Sequence, residues 1–203
     1  MLTEAKTYGA LLSTLTRSVI SYLISFGFAL SLAVISLFFA PAYKLLSPVV
    51  SVLRALPTMA VVLLLIIWTG PKTATVIVAL LVIFPTLYSL FYESMTGVDR
   101  DVIDMAKIDG ADKTILAFRF YIPLAAPMAS RSAAGALSLC VKLTVAAEVL
   151  ASTAGSLGAM MQTYRVYFET ARLMALTTLT VIVSLLLEAI LYRLLRLSFK
   201  NWI

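Results

Sequence analysis

The sequence predicts an all-α polytopic membrane protein, with about five transmembrane helices and one long polar loop. Three observations carry this. Mean hydropathy is +1.01 and only 13% of the 203 residues are charged, against roughly a quarter in a soluble domain. Apolar runs recur over about 11–39, 55–69, 73–92, 128–151 and 173–192, most of them near the ~20 residues that a bilayer core demands of a helix. Polarity, by contrast, is gathered: five of the ten acidic residues fall between Asp99 and Asp112.

Taken in order, 11–39 is apolar at nearly every position, broken by Ser, Thr and Gly27. It exceeds the ~30 Å core and is expected to tilt or project. Arg17 near its start is expected to snorkel to the interface. The stretch 40–55, with Pro41, Pro48, Lys44 and Arg54, reads as a bent connection along the membrane surface. Pro57 then opens a run of about a dozen apolar residues to Trp68, short for a crossing. It is expected to gain length from residues 49–56 through a kink at the proline.

Thr69-Gly70-Pro71-Lys72 is a tight turn before the third span, 73–92. A polar loop over about 93–126 follows, and Pro127 or Met128 opens the fourth span. Residues 152–172 are moderately polar, with a short helix expected near 160–168. The fifth span, 173–192, ends in a basic tail. There is no internal repeat.

The composition excludes several classes. There are no histidines and a single cysteine, Cys140, so zinc-type sites, His-based catalysis and an intrachain disulfide are out. Residues 1–10 lack a basic n-region and a compact apolar core, and are not expected to be a cleavable leader. The net charge of +6 is loop charge that sets orientation, and no nucleic-acid partner is expected. With five spans, one side holds Lys6, Lys72, Arg165 and Arg172. The other holds Lys44, Arg54, Arg100, Lys107, Lys113, Arg119, Arg131, Arg193, Arg196 and Lys200. Ten against four places the polar loop and C-terminus in the cytoplasm and the N-terminus outside.

Within the loop, Asp99 and Asp101 lie where a helix starting near residues 100–102 favours acidic caps. Val102, Ile103, Met105, Ala106 and Ile108 give it a broad apolar side. Asp109-Gly110 ends it with a residue free to turn left-handed. Asp112 can cap a second short helix, which Pro123 ends before the fourth span. From these residues alone, a docking helix and a plain amphipathic connector on the lipid surface are equally open.

Asp104-Met105-Ala106, then Gly110, then Phe120-Tyr121-Ile122-Pro123 resembles the cytoplasmic "EAA" signature of ABC importer permeases: Glu-Ala-Ala, three residues, Gly, nine residues, Ile-x-Leu-Pro. Asp104, Met105, Phe120 and Ile122 depart mildly from it. Residues 51–70, and Ala146-Ala147-Glu148 with Gly155-Ser156-Leu157-Gly158, are similar to permeases of the nitrate, sulfonate, taurine and pyrimidine-precursor group. Those usually carry one further N-terminal span.

The resemblance implies the type I importer permease fold. It assigns contact with the ATPase to Asp104, Met105, Ala106, Asp109, Gly110, Ala111, Ile122 and Pro123. It further implies ABC ATP-binding subunits, a second permease subunit and an extracytoplasmic substrate-binding protein as partners in an inner membrane. No GxxxxGK[ST] occurs, so ATP and Mg are expected in the partner and no cofactor or catalysis in this chain.

Glu148 and Lys142, ionisable within the fourth span, are the translocation-pathway candidates; six residues apart, they point to different sides of the helix. Glu188 is expected to pair with Arg193 or another tail residue. Met160, Met161, Tyr164, Tyr167 and Phe168 are expected to form an interfacial belt. Two rivals are weighed. A metal-dependent membrane phosphotransferase would need Ala-Arg after its Asp-Gly, whereas Ala-Asp-Lys-Thr follows here. An ATP-independent channel or carrier leaves the Gly and Pro spacing unexplained.

Overall fold

A computed structural model describes residues 5–199. Its elements are helices throughout: α1 (Ala5–Phe38), α2 (Ala40–Ala55), α3 (Thr58–Thr69), α4 (Pro71–Thr96), α5 (Arg100–Ile108), α6 (Lys113–Ile115), a π-helical turn (Leu116–Tyr121), α7 (Ile122–Ala151), α8 (Leu157–Val166) and α9 (Thr170–Phe199). Four stretches are long and apolar enough to cross a membrane: 6–38, 71–96, 113–151 and 170–197.

The serines and threonines that interrupt α1 in sequence turn out to be its packing face. Thr14, Ser18, Ser21, Ser25, Ala29 and Ala33 are buried at three- to four-residue spacing, and α7 answers with Ala129, Ala133, Ala136 and Cys140. Small residues let helix backbones approach closely where lipid supplies no hydrophobic drive for association. The contacts also fix directions. Ser21 and Ser25 donate to the carbonyls of Val76 and Leu80, so α1 and α4 run parallel. Tyr22 donates to the carbonyl of Ala133, and the Cys140 thiol to that of Ser18, so α7 runs against both.

Because α1 and α4 are parallel, residues 39–70 must carry the chain back across. They do so as two helices bent by 94°, not as the kinked single run expected from Pro57. Leu56 and Pro57 are extended, since the proline ring disfavours a helical conformation at the residue before it. Gly70, at φ +80, and Pro71, the first residue of α4, make the sharp turn at 69–72.

A second difference lies at the fourth span. Pro123 does not end the preceding helix; 113–151 runs as one continuous stretch. A proline lacks the N–H for an i→i−4 bond and crowds that carbonyl. Here the turn before it widens to a π-helix over Leu116–Tyr121, which absorbs the misfit. Helix α7 therefore begins well before Pro127.

Candidate functional site

Helix α5 and the turn after it stand at the end of the bundle where α1 and α4 finish. Asp99 caps α5 by accepting from the backbone N–H of Asp101 at 3.0 Å, an interaction worth about 1 kcal/mol. At the other end Gly110 adopts φ +84. The Ala111 N–H donates to the Ala106 carbonyl and the Gly110 N–H to that of Lys107, each at 3.0 Å, the paired bonds of a left-handed helix stop. Asp112 then caps the next helix through the Ile115 N–H at 2.7 Å.

The broad apolar side expected of α5 is divided between two directions. Ile103 and Ala106 are buried with Leu116, against Phe38, Val98, Ala111, Phe120 and Tyr121. This seats α5 on the ends of α1 and α4 and on the π-turn that leads into α7. Met105 and Ile108 face away, 66% and 85% exposed. Asp104 pairs with Lys107 at 2.7 Å. That hydrogen bond holds the Lys107 ammonium above its usual pKa. Asp104, Met105 and Asp109 thus lie on the exposed tip, and Ala106 and Ala111 on or beside the seat. Ile122 and Pro123 belong to the base of α7, half-buried and buried, apart from the tip.

The two ionisable residues of the fourth span are not brought together. Glu148 is fully buried. Its Oε1 accepts from Arg17 Nη1 at 2.5 Å, and its Oε2 accepts from the Thr14 hydroxyl at 2.8 Å and the Gly158 N–H at 3.3 Å. Thr14 also accepts from the Leu157 N–H, and Ser13 donates to the Gly155 carbonyl. One carboxylate thereby clasps α1, α7 and the start of α8. Gly158 is required for this approach, because a Cβ there would collide with the Cβ of Glu148 and the Val149 nitrogen. Arg17 is 16% exposed and does not snorkel; the expectation failed because its acid lies 131 residues along the chain. Lys142 is exposed on a different side of α7, roughly 120° around the helix from Glu148.

Glu188 also departs from expectation. It shares a crevice with Arg131 and Tyr192 between α7 and α9 and forms no ion pair with a tail residue among the described residues. Tyr167 and Phe168 are strongly exposed at the end of α8, whereas Met161 is buried against Leu157 and Leu176. Among the described residues no group of three or more His, Cys, Asp or Glu side chains could hold a metal ion.

Parallel and antiparallel apolar helices, a broken return segment and a capped helix seated on their ends define a multi-pass helical bundle of the kind that crosses a membrane. The chain belongs to the family described as "binding-protein-dependent transport system inner membrane component", whose model matches residues 24–201. It is 33% identical over 156 residues to a riboflavin transport system permease protein of Chloroflexus aurantiacus, covering 73% of this chain and 58% of that one. It thus spans less than two thirds of that relative's length. It is 25% identical to a probable ABC transporter permease of Brucella melitensis, over 83% of this chain and 69% of the other.

Among solved structures, an inward-facing form of the MetNI methionine ABC transporter superposes with a TM-score of 0.81 at 18% identity, covering 94% of each chain. A bacterial transporter for the import of alginate superposes with a TM-score of 0.75 at 15% identity, over 96% of this chain and 80% of the other. At these identities the likeness establishes the fold.

Proposed function

We propose that this chain is the membrane-spanning permease subunit of an ATP-driven importer, and that it forms part of the pathway for a small solute handed over by an extracytoplasmic binding protein. The observation that carries the reading is α5. It presents Met105 and Ile108 outward at the end of a helix whose inner side is locked to α1, α4 and the base of α7. Apolar side chains at the tip of a rigid helix suit a cleft in a folded partner, the mode in which an amphipathic helix anchors in a groove.

In this reading the partner is an ABC ATP-binding subunit, which binds ATP and Mg and performs the hydrolysis. The permease chain catalyses nothing. It works with a second permease subunit, identical or related, and with membrane lipids around the pair. Closure of the ATPase dimer moves α5, and the seat formed by Ile103, Ala106 and Leu116 passes that displacement to α1, α4 and α7 as rigid bodies. Asp104, Asp109, Gly110 and Ala111 shape the docking tip. Ile122 and Pro123, beside the π-turn, connect it to the span.

The distribution of Lys and Arg supports α5 and the C-terminus in the cytoplasm and the N-terminus outside. The similarity to a riboflavin permease supports a small organic solute as cargo. The test is affinity purification of the tagged chain from its native membrane. Recovery of an ABC ATPase, and ATP-dependent uptake by the reconstituted assembly, are expected. Uptake that proceeds without any ATPase sinks the reading in favour of a carrier.

A further inference from the structure

Helix α5 and the ends of α1 and α4 enclose a crevice of about 790 Å³, its open mouth included, with Thr96, Arg100, Asp104, Lys107 and Tyr121 on its walls. Leu37 and Thr96 place it at the ends of two spans, 6–38 and 71–96, the level at which lipid headgroups meet water. Arg100 and Lys107, seven residues apart, point within roughly 20° of one another. Arg100 forms no ion pair among the described residues, and Lys107 shares its charge with Asp104 at 2.7 Å. The crevice therefore holds two cations against one carboxylate.

A second crevice continues from the first. Met95 lines both, and Tyr121 of the first is followed in the chain by Ile122 of the second. The second runs between α1, α4, α7 and α9, with Leu30, Phe91, Ala126, Ala133 and Leu195 among its walls, and holds about 430 Å³, mouth included. Its lining is apolar apart from Ser94 and Ser130, and the Ser130 hydroxyl already donates to the Pro127 carbonyl. From Ile122 to Ala133 it follows α7 for eleven residues, ~17 Å at 1.5 Å per residue. Half of a ~30 Å hydrocarbon core is ~15 Å, so the slot is as deep as one leaflet. Water finds few partners in such a lining, whereas an apolar chain is favoured there.

We propose that the two crevices form one binding site for an anionic phospholipid of the leaflet on the α5 side. The headgroup phosphate lies between Arg100 and Lys107, and one acyl chain passes Met95 into the slot toward Ala133. The Arg100 guanidinium offers a planar fork that suits a phosphate, and Lys107 a point charge. Met95 is unbranched and flexible, so its side chain can yield between headgroup and tail. Basic pockets between spans hold acidic headgroups in this way. A free phosphate would use the first crevice and leave the second empty. Ile103, part of the α5 seat, lines the first crevice as well, so a bound headgroup braces α5 against the span ends. The site is built by this chain alone and stands apart from the permease reading.

The test uses the full-length chain in a neutral detergent, mixed with dioleoyl phosphatidylglycerol or with dioleoyl phosphatidylcholine, which share their tails. Native mass spectrometry counts the lipid retained. One basic residue at a bilayer surface contributes about fivefold in affinity for an acidic lipid, and Asp104 offsets part of one of the two. A preference for phosphatidylglycerol of about tenfold is therefore expected, falling to about twofold or less in Arg100→Gln/Lys107→Gln. Both side chains are exposed, so this variant should keep the parent's melting temperature. Ala126→Leu narrows the slot from α7 and Leu195→Trp from α9. Whichever of them melts with the parent should retain less of both lipids while keeping the preference. Glycerophosphoglycerol, the same headgroup without tails, should not displace the lipid at equal concentration.

Equal retention of the two lipids, or a preference that survives Arg100→Gln/Lys107→Gln, overturns the proposal. Displacement by glycerophosphoglycerol or by inorganic phosphate at equal concentration assigns the first crevice to a free anion and overturns the lipid site. Undiminished retention in a slot variant that melts with the parent removes the tail slot and overturns it too. Recovery or loss of an ABC ATPase in the affinity purification bears on the permease reading alone.

Discussion

Removing the guanidinium from Arg17 isolates the energetics of the Glu148 clasp. The Glu148 carboxylate has no exposure and three donors: Arg17, Thr14 and the Gly158 N–H. In Arg17→Leu the charge stays buried with two neutral donors, and breaking a buried pair in this way costs about 3–5 kcal/mol. Since Arg17 is itself 16% exposed and water reaches its site, about 3 kcal/mol is expected. Glu148→Gln alone strands the cation, at about 2 kcal/mol. The double variant Arg17→Leu/Glu148→Gln leaves a neutral amide whose carbonyl still accepts from Thr14 and Gly158. It should therefore lie about 2 kcal/mol above the sum of the singles.

The assay is unfolding of the detergent-purified chain against rising SDS mole fraction, followed by tryptophan fluorescence and by proteolysis between α7 and α8. Additivity of the two single substitutions within about 0.5 kcal/mol would show that the pair is not coupled, and the clasp would then be a crystal-like contact of no energetic consequence.

Three further outcomes follow from the same geometry. Gly110→Val forces a β-branched residue to φ +84, at a cost of about 1–3 kcal/mol. Membrane insertion should persist while ATPase co-purification and transport fall together, and Gly110→Asn should retain most of both. Gly158→Ala places a methyl against Glu148 Cβ and the Val149 backbone, where overpacking costs about 1–3 kcal/mol. Limited proteolysis should then cut between α7 and α8 faster than in the parent. Ile108→Lys changes a side chain that is 85% exposed, so the detergent melting temperature should stay put while affinity for the ATPase drops more than about tenfold, the loss of one apolar anchor.

How much of this was legible beforehand depended on the range of the interactions. The caps at Asp99 and Asp112 and the reversal at Gly110 are local, set by residues within a turn of one another, and the sequence order exposes them directly. The π-turn was not legible, because a proline at position 123 reads equally as a helix stop or as a widened turn. Only the continuous register from Lys113 to Ala151 selects the second. The 94° bend at Leu56-Pro57 needed the parallel course of α1 and α4.

Most hidden was the Arg17–Glu148 pair, which joins residues 131 apart. A basic residue near the start of an apolar run looks like an interfacial anchor until its acid is found. One signal was present in the chain: Gly155 and Gly158 lie shortly after Glu148, and small residues beside a membrane-embedded acid mark a place where backbone N–H groups can approach it. The apolar side of α5 is broad enough in sequence to meet both the membrane helices and a partner, but which residues face which way, Ile103 and Ala106 inward and Met105 and Ile108 outward, needed the fold.

The account turns on whether α5 delivers the partner's motion. A photoreactive benzoylphenylalanine at Ile108, activated in intact cells, tests this most directly. The account predicts a covalent adduct with an ABC ATPase subunit, and no such adduct when the same probe replaces the buried Leu116 or the membrane-level Leu139. Adducts at Ile108 only to lipid, in cells that still take up the solute, would contradict it.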